Sequence, residues 1–244
     1  MPSSATGGAE PRAPRRAARL GIGAVDWARA IGRRGLCLID RTPPDRYLTP
    51  PASAPGACAR IPVVVVQGVL EPWNFLSTVH RRLHEAGHPV HPVAGLGWNL
   101  ADLGAARDLV LGYLEEHRLE GAVLVGHSKG GLIGRAVLAH PEGGLRVRGV
   151  VATCAPWQGT SLVPAWAART PLGMFAPGAA EPTSAAVTER IISLVPPFDQ
   201  VIPQGSVLPG AHNRILGICG HHAPTQDRAT FEVLHRAVHE LAER

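Results

Sequence analysis

From Ile61 onward the chain alternates short, wholly apolar runs with longer amphipathic segments, and no other feature narrows its possible folds as much. A run without polar alternation has to be buried on both faces, which in a sheet requires helices on both sides. Strand, amphipathic helix and strand again is the pattern of βαβ units building a parallel sheet. The expected strands are residues 61–66, 89–93, 122–125, 147–153, 191–195 and 214–218. Helices are expected over 73–86, 101–117 and 129–139 and from about 226. Leu76, Val79 and Leu83, then Leu103, Ala106, Val110 and Tyr113, then Phe231, Leu234, Val238 and Leu241 recur at helical spacing on inward stripes. The fold class is therefore α/β, a mostly parallel sheet of about six strands covered on both faces.

Size and composition agree with this reading. A chain of 244 residues, 45% hydrophobic and 18% charged, buries enough surface to fold without a disulfide or metal staple and is too apolar to be disordered. No stretch approaches the roughly 18 apolar residues of a membrane span. The net charge of +5 is local: ten Arg face four acidic residues in positions 1–60, and the remainder is nearly neutral. A basic leader without interleaved aromatics reads as a solvated arm, so no nucleic-acid partner is expected. Cys37, Cys58, Cys154 and Cys219 form no C-x-x-C pair and no zinc spacing, which favours independent reduced thiols. With no convincing signal peptide, since the apolar run Leu20 to Val25 stops at Asp26, a cytoplasmic location is expected.

The first 57 residues read as an arm preceding an α/β domain at 58–244. Positions 1–18 lack apolar periodicity. Leu20, Ala24, Trp27 and Ile31 then suggest an amphipathic helix that packs on the domain, with peripheral contact to a membrane surface as the alternative. Residues 42–60, with Pro43, Pro44, Pro50, Pro51 and Pro55, read as a linker. A second interruption, about 155–182, combines five prolines with Trp157, Trp166, Met174 and Phe175; its apolar content suggests a short lid.

Gly126-His127-Ser128-Lys129-Gly130 matches G-x-S-x-G, a weak signal alone. Its context strengthens it. A buried strand leads in, and Leu132, Ile133, Ala136 and Val137 give an amphipathic helix leading out. A tight strand-to-helix turn forces the central residue into a strained conformation and needs Gly on either side, where side chains would collide. Ser128 then stands at a helix N-terminus, whose free N–H groups favour a developing oxyanion. A serine hydroxyl needs a base, itself oriented by a carboxylate. Asp199 is the only acidic residue between the strand ending near Val195 and the next strand, and Gly220-His221-His222 follows the last strand. Gln67-Gly68-Val69, after the first core strand, can aim the Val69 N–H into the same crevice as that of Lys129. All these segments lie at carboxyl ends of strands, where open α/β sheets place their sites.

On these ordered features, together with Ala155-Pro156-Trp157-Gln158-Gly159-Thr160, the chain resembles the α/β-hydrolase superfamily over residues 58–244. It is most similar to the compact bacterial esterase/lipase branch that lacks extra N-terminal strands. The resemblance implies a three-layer α/β-hydrolase fold with Ser128 as nucleophile, Asp199 as orienter, His221 as base, and Val69 and Lys129 as backbone oxyanion donors. It selects His221 over His222. Gln67 stands where the family usually has the His of a His-Gly turn, and Trp157 where it commonly has His in a Pro-His-x-Gly-Thr run.

The expected function is hydrolysis of a small-molecule or lipid carboxylic ester through an acyl-enzyme, with no cofactor. An acyltransferase or thioesterase on the same residues, or a non-catalytic ligand-binding scaffold, are the alternatives. Trp157, Trp166, Met174 and Phe175 are candidates for the substrate pocket. His80, His84, His88 and His91 complete no set with a Cys or carboxylate, so no metal is expected. His127 reads as a packing residue, and the Lys129 side chain as a surface one.

Overall fold

The computed structural model describes residues 14–52, 61–164, 166, 169–178 and 183–244. Much of the expected tail (1–13) and part of the expected linker (53–60) lie outside these residues, as do 165, 167, 168 and 179–182 of the expected lid. Six parallel strands, β1 Val63–Val66, β2 Val90–Pro92, β3 Ala122–His127, β4 Val147–Thr153, β5 Ile191–Val195 and β6 His212–Ile215, stand in the order β2-β1-β3-β4-β5-β6. This is the expected α/β class.

The apolar runs split residue by residue between two cores. Val64, Val66 and Leu124 point into one cluster with α3 (Leu103–Glu116) and α4 (Lys129–Ala139), while Val63, Val65, Val123 and Val125 point into the other. That second cluster receives α2 (Ser77–Glu85), α7 (Arg228–Glu243) and the N-terminal helix α1 (Arg16–Ile39). A strand covered on both faces loses its polar alternation, which is why these runs are wholly apolar. Two short helices not expected from periodicity, α5 (Pro141–Arg146) and α6 (Ala185–Thr188), complete the set. Among the described residues no helix is long and apolar enough to cross a membrane.

The N-terminal helix is present but docks through a different face from the one its apolar spacing predicts. Gly23, Asp26, Ala30 and Cys37 are buried, whereas Leu20, Trp27, Ile31 and Leu38 are exposed. Small residues let the backbone approach: a Cβ on Gly23 would already touch Gln200. Arg33 and Arg34 fasten the far half, donating to the carbonyls of Asn74, Phe75 and Leu70.

The insertion after β4 is pinned to its surroundings. Thr160 N–H donates to the Phe175 carbonyl at 2.7 Å, the Thr160 hydroxyl to Val201, and Gln204 to the Gly159 carbonyl at 2.6 Å. Cys37, Cys154 and Cys219 are free thiols; Cys58 is outside the described residues.

Candidate active site

Ser128 lies between β3 and α4 with φ 52° and ψ −119°, a conformation that L side chains rarely adopt. The flanking glycines are required by contact. A Cβ on Gly130 would stand 2.0 Å from the Val66 carbonyl oxygen, and one on Gly126 would stand 2.5 Å from Gly130. Gly131 and Gly134 meet β4 in the same way, at Ala152 and Val150. The turn is held by Ser128 N–H donating to Thr153 at 2.9 Å.

Asp199 and His221 meet directly. His221 Nδ1 is 2.8 Å from Asp199 Oδ2, and Asp199 Oδ1 accepts from the backbone N–H groups of Val201 and Ile202 at 2.8 and 2.9 Å. Burial would raise the Asp199 carboxyl, but His221 and the two N–H donors outweigh it and hold the group below the usual carboxylate range. The Ser128 hydroxyl, by contrast, makes no hydrogen bond to His221 or to any other described residue.

The turn after β1 reaches Ser128, since a Cβ on Gly68 would lie 3.2 Å from Ser128 Cβ. Gly68 N–H donates to Glu71 Oε2 at 2.7 Å, which folds the turn back on itself, and the Val69 N–H has no acceptor among the described residues. Leu70, Asn99, Ser128 and Cys154 all have positive φ, so strained backbone gathers at the carboxyl ends of the strands around Ser128. Gln67, where the resemblance calls for His, is buried and donates to the Gly97 carbonyl at 3.2 Å.

Sequence reasoning missed the polar layer beneath these groups. His127 is buried, with Nδ1 2.9 Å from Glu71 Oε2 and Nε2 3.0 Å from the His221 carbonyl, so it joins the β1 turn to the His221 loop. Burial opposes charge on both side chains. Their mutual attraction wins, lowering the Glu71 carboxyl and raising the His127 imidazole. Lys129 is likewise no surface residue: it is 1% exposed, and its ammonium donates to the carbonyls of Asn99 and Ala101 at 2.8 and 2.5 Å. Burial pulls its pKa down to about 8, against the nearby Asp102.

Asp26, the only acidic residue of α1, anchors the His221 loop. It accepts from the N–H groups of His221, His222 and Ala223 at 2.7–3.2 Å, lies 2.9 Å from His222 Nδ1, and accepts from Gln200 at 2.5 Å. Burial would raise this carboxyl, yet the donors from His222 and Gln200 hold it well below the ordinary range. Gly220, φ 114°, is needed for the approach, because a Cβ there would stand 2.7 Å from Asp26 Oδ1. Asp26→Ala strands these buried donors and is expected to lower unfolding free energy by about 3–5 kcal/mol in denaturant titration. An unchanged midpoint would make the anchor incidental. The sequence signal was a lone carboxylate among five arginines on a helix otherwise apolar.

The candidate pocket residues are placed differently from expectation. Trp157 is a core residue, 1% exposed, with its indole N–H donating to Ser193 at 2.9 Å. Phe175 is buried in the same core, Met174 packs against it, and Trp166 is 78% exposed, so the four do not line one open pocket. The four early histidines do not converge either. His80 packs against Tyr47 and Trp73, His84 bonds the Thr49 carbonyl, and His91 faces Tyr113 and His117.

Comparison with solved structures places this architecture in a known class: the chain has the α/β-hydrolase fold. It is similar to mature lipase BlEst2 of Bacillus licheniformis, with a TM-score of 0.58 and 16% identity over 77% of this chain and 95% of that one. An extracellular α/β-hydrolase from a Paenibacillus species gives a TM-score of 0.52 at 15% identity, covering 73% and 99%. Paleococcus ferrophilus monoacylglycerol lipase also gives 0.52, at 18% identity, covering 75% and 94%. No protein-family model and no curated protein matches the sequence.

Proposed function

We propose that the chain is a serine hydrolase of carboxylic esters. The observation that carries this reading is the buried Asp199–His221 pair at 2.8 Å in a loop bonded through His127 to the residues flanking the Ser128 elbow. Asp199 holds the His221 ring by Nδ1, leaving Nε2 to take the Ser128 proton as Oγ attacks the acyl carbonyl. The oxyanion that forms receives hydrogen bonds from the N–H groups of Val69 and Lys129. His221 then returns the proton to the departing alcohol. Water, deprotonated by the same imidazole, attacks the acyl-enzyme, and His221 passes that proton to Ser128 Oγ as the acid is released. Lipases and hydrolases among the structural neighbours support the same reaction class.

A fluorophosphonate probe, with aryl esters of increasing acyl length, tests the reading. The expected result is stoichiometric labelling at Ser128 and release of the aryl alcohol with steady turnover. Failure to label the folded chain would leave only a binding scaffold. Labelling with a single burst of alcohol, relieved by an added alcohol or thiol, would instead assign acyl transfer.

A further inference from the structure

At the amino end of the strands, where β2 begins, three imidazoles converge. His235 and His239 are one turn apart on α7, on the same face, and His88 follows the C-terminus of α2 just before β2. His235 Nε2 lies 3.1 Å from His88 Nε2 and 3.1 Å from His239 Nε2, and the three ligand atoms all lie within 4.8 Å of one another. His88 Nδ1 is 3.1 Å from the Ile61 carbonyl oxygen, an acceptor only, so Nδ1 carries the proton and Nε2 presents its lone pair to the cluster.

Hydrogen bonding among the three rings accounts poorly for this arrangement. An imidazole nitrogen has one in-plane site, holding either a proton or a lone pair. His235 Nε2 can therefore form one linear hydrogen bond, whereas it has two nitrogen neighbours at 3.1 Å. A cation between the three lone pairs satisfies every contact. Tetrahedral zinc with Zn–N bonds of about 2.0–2.1 Å spaces its ligand nitrogens by about 3.3–3.4 Å, so the two short contacts need to open only slightly. A purely imidazole donor set suits a borderline first-row cation rather than magnesium or calcium, which require oxygen ligands. His88 is buried while His235 and His239 are half-buried, which supplies a held ligand and an entry path. Phe231 stacks on His235, with ring planes 11° apart, and fixes its orientation.

We propose that His88, His235 and His239 bind one zinc-class divalent cation, with solvent in the remaining coordination position. The bound ion clamps α7 to the segment entering β2, at the amino end of the strands rather than the carboxyl end that carries Ser128, and so stabilises the fold without joining the ester chemistry. This replaces the expectation of a metal-free chain, which considered His88 only with its sequence neighbours. A second group, His127, Cys154 and His221, also has ligand atoms close together, but it belongs to the candidate active site, where His127 is already bonded through both nitrogens.

Zinc chloride titrated calorimetrically into the full-length protein in a non-chelating buffer tests the assignment. One ion per chain is expected, with a rise in Tm of about 5–10 °C at free zinc 100-fold above Kd. His235→Ala and His239→Asn should each weaken binding by at least about 100-fold, with midpoints in chelator near wild type, while His221→Ala keeps it. Cobalt(II) on the unmutated protein should give the visible ligand-field bands of a four-coordinate site, a readout independent of whether the variants fold. Absence of saturable binding, binding unchanged in both α7 variants, or binding lost in His221→Ala would overturn the proposal.

Discussion

Ser128→Ala is expected to cut ester turnover by about 10⁴-fold or more while leaving the denaturation midpoint near wild type. The two halves of this result have separate causes. Turnover falls because no other hydroxyl or thiol is set in the elbow. Stability holds because the Ser128 hydroxyl makes no hydrogen bond that alanine would lose. The backbone, however, keeps its φ of 52° with alanine. Ser128→Gly should therefore be equally inactive but more stable, by about 1 kcal/mol, since glycine relieves the unfavourable conformation. Turnover retained in either variant, measured on aryl esters with a folded protein, would exclude Ser128 as nucleophile.

His221→Ala should fall to nearly the same level of turnover, whereas His222→Ala should retain most activity per folded molecule. The adjacent imidazoles have different surroundings. His221 Nδ1 faces Asp199 and its Nε2 makes no hydrogen bond among the described residues. His222 is buried between the rings of Trp27 and Phe75 with Nδ1 bound to Asp26. Removing His222 thus opens a cavity and costs stability, about 2–4 kcal/mol, more than it costs chemistry. Kinetics at a temperature where both variants are folded separates the effects. An active His221→Ala beside an inactive His222→Ala would move the base by one position.

Where burial was apolar, the fold could be read closely. The spans of β4, β5 and α4 coincide with their expected limits, because Val, Ile and Leu covered on both sides leave no ambiguity of face. The edge strand β6 starts two residues and ends three residues earlier than expected and is largely exposed, so apolar pattern constrained it little. The nucleophile, orienter and base candidates were legible because each sits in a short turn with few alternatives. Asp26, Glu71 and Lys129 were not. Their burial depends on hydrogen-bond partners 3 to 197 positions away, and periodicity counts apolar side chains, not acceptors met in three dimensions. For the same reason α1 turned a polar-centred face inward and left its apolar stripe outside.

The Asp26 anchor also sets an order of events during folding. Its partners at 221–223 are 195–197 positions away along the chain. Contacts of such separation carry a high loop-closure entropy and form after local elements have assembled. During synthesis α1 emerges long before those partners exist, and its carboxylate stays solvated until they arrive. The loop carrying His221 gains its support only when the two regions meet, so a refolding chain regains helix and sheet before it regains a competent site.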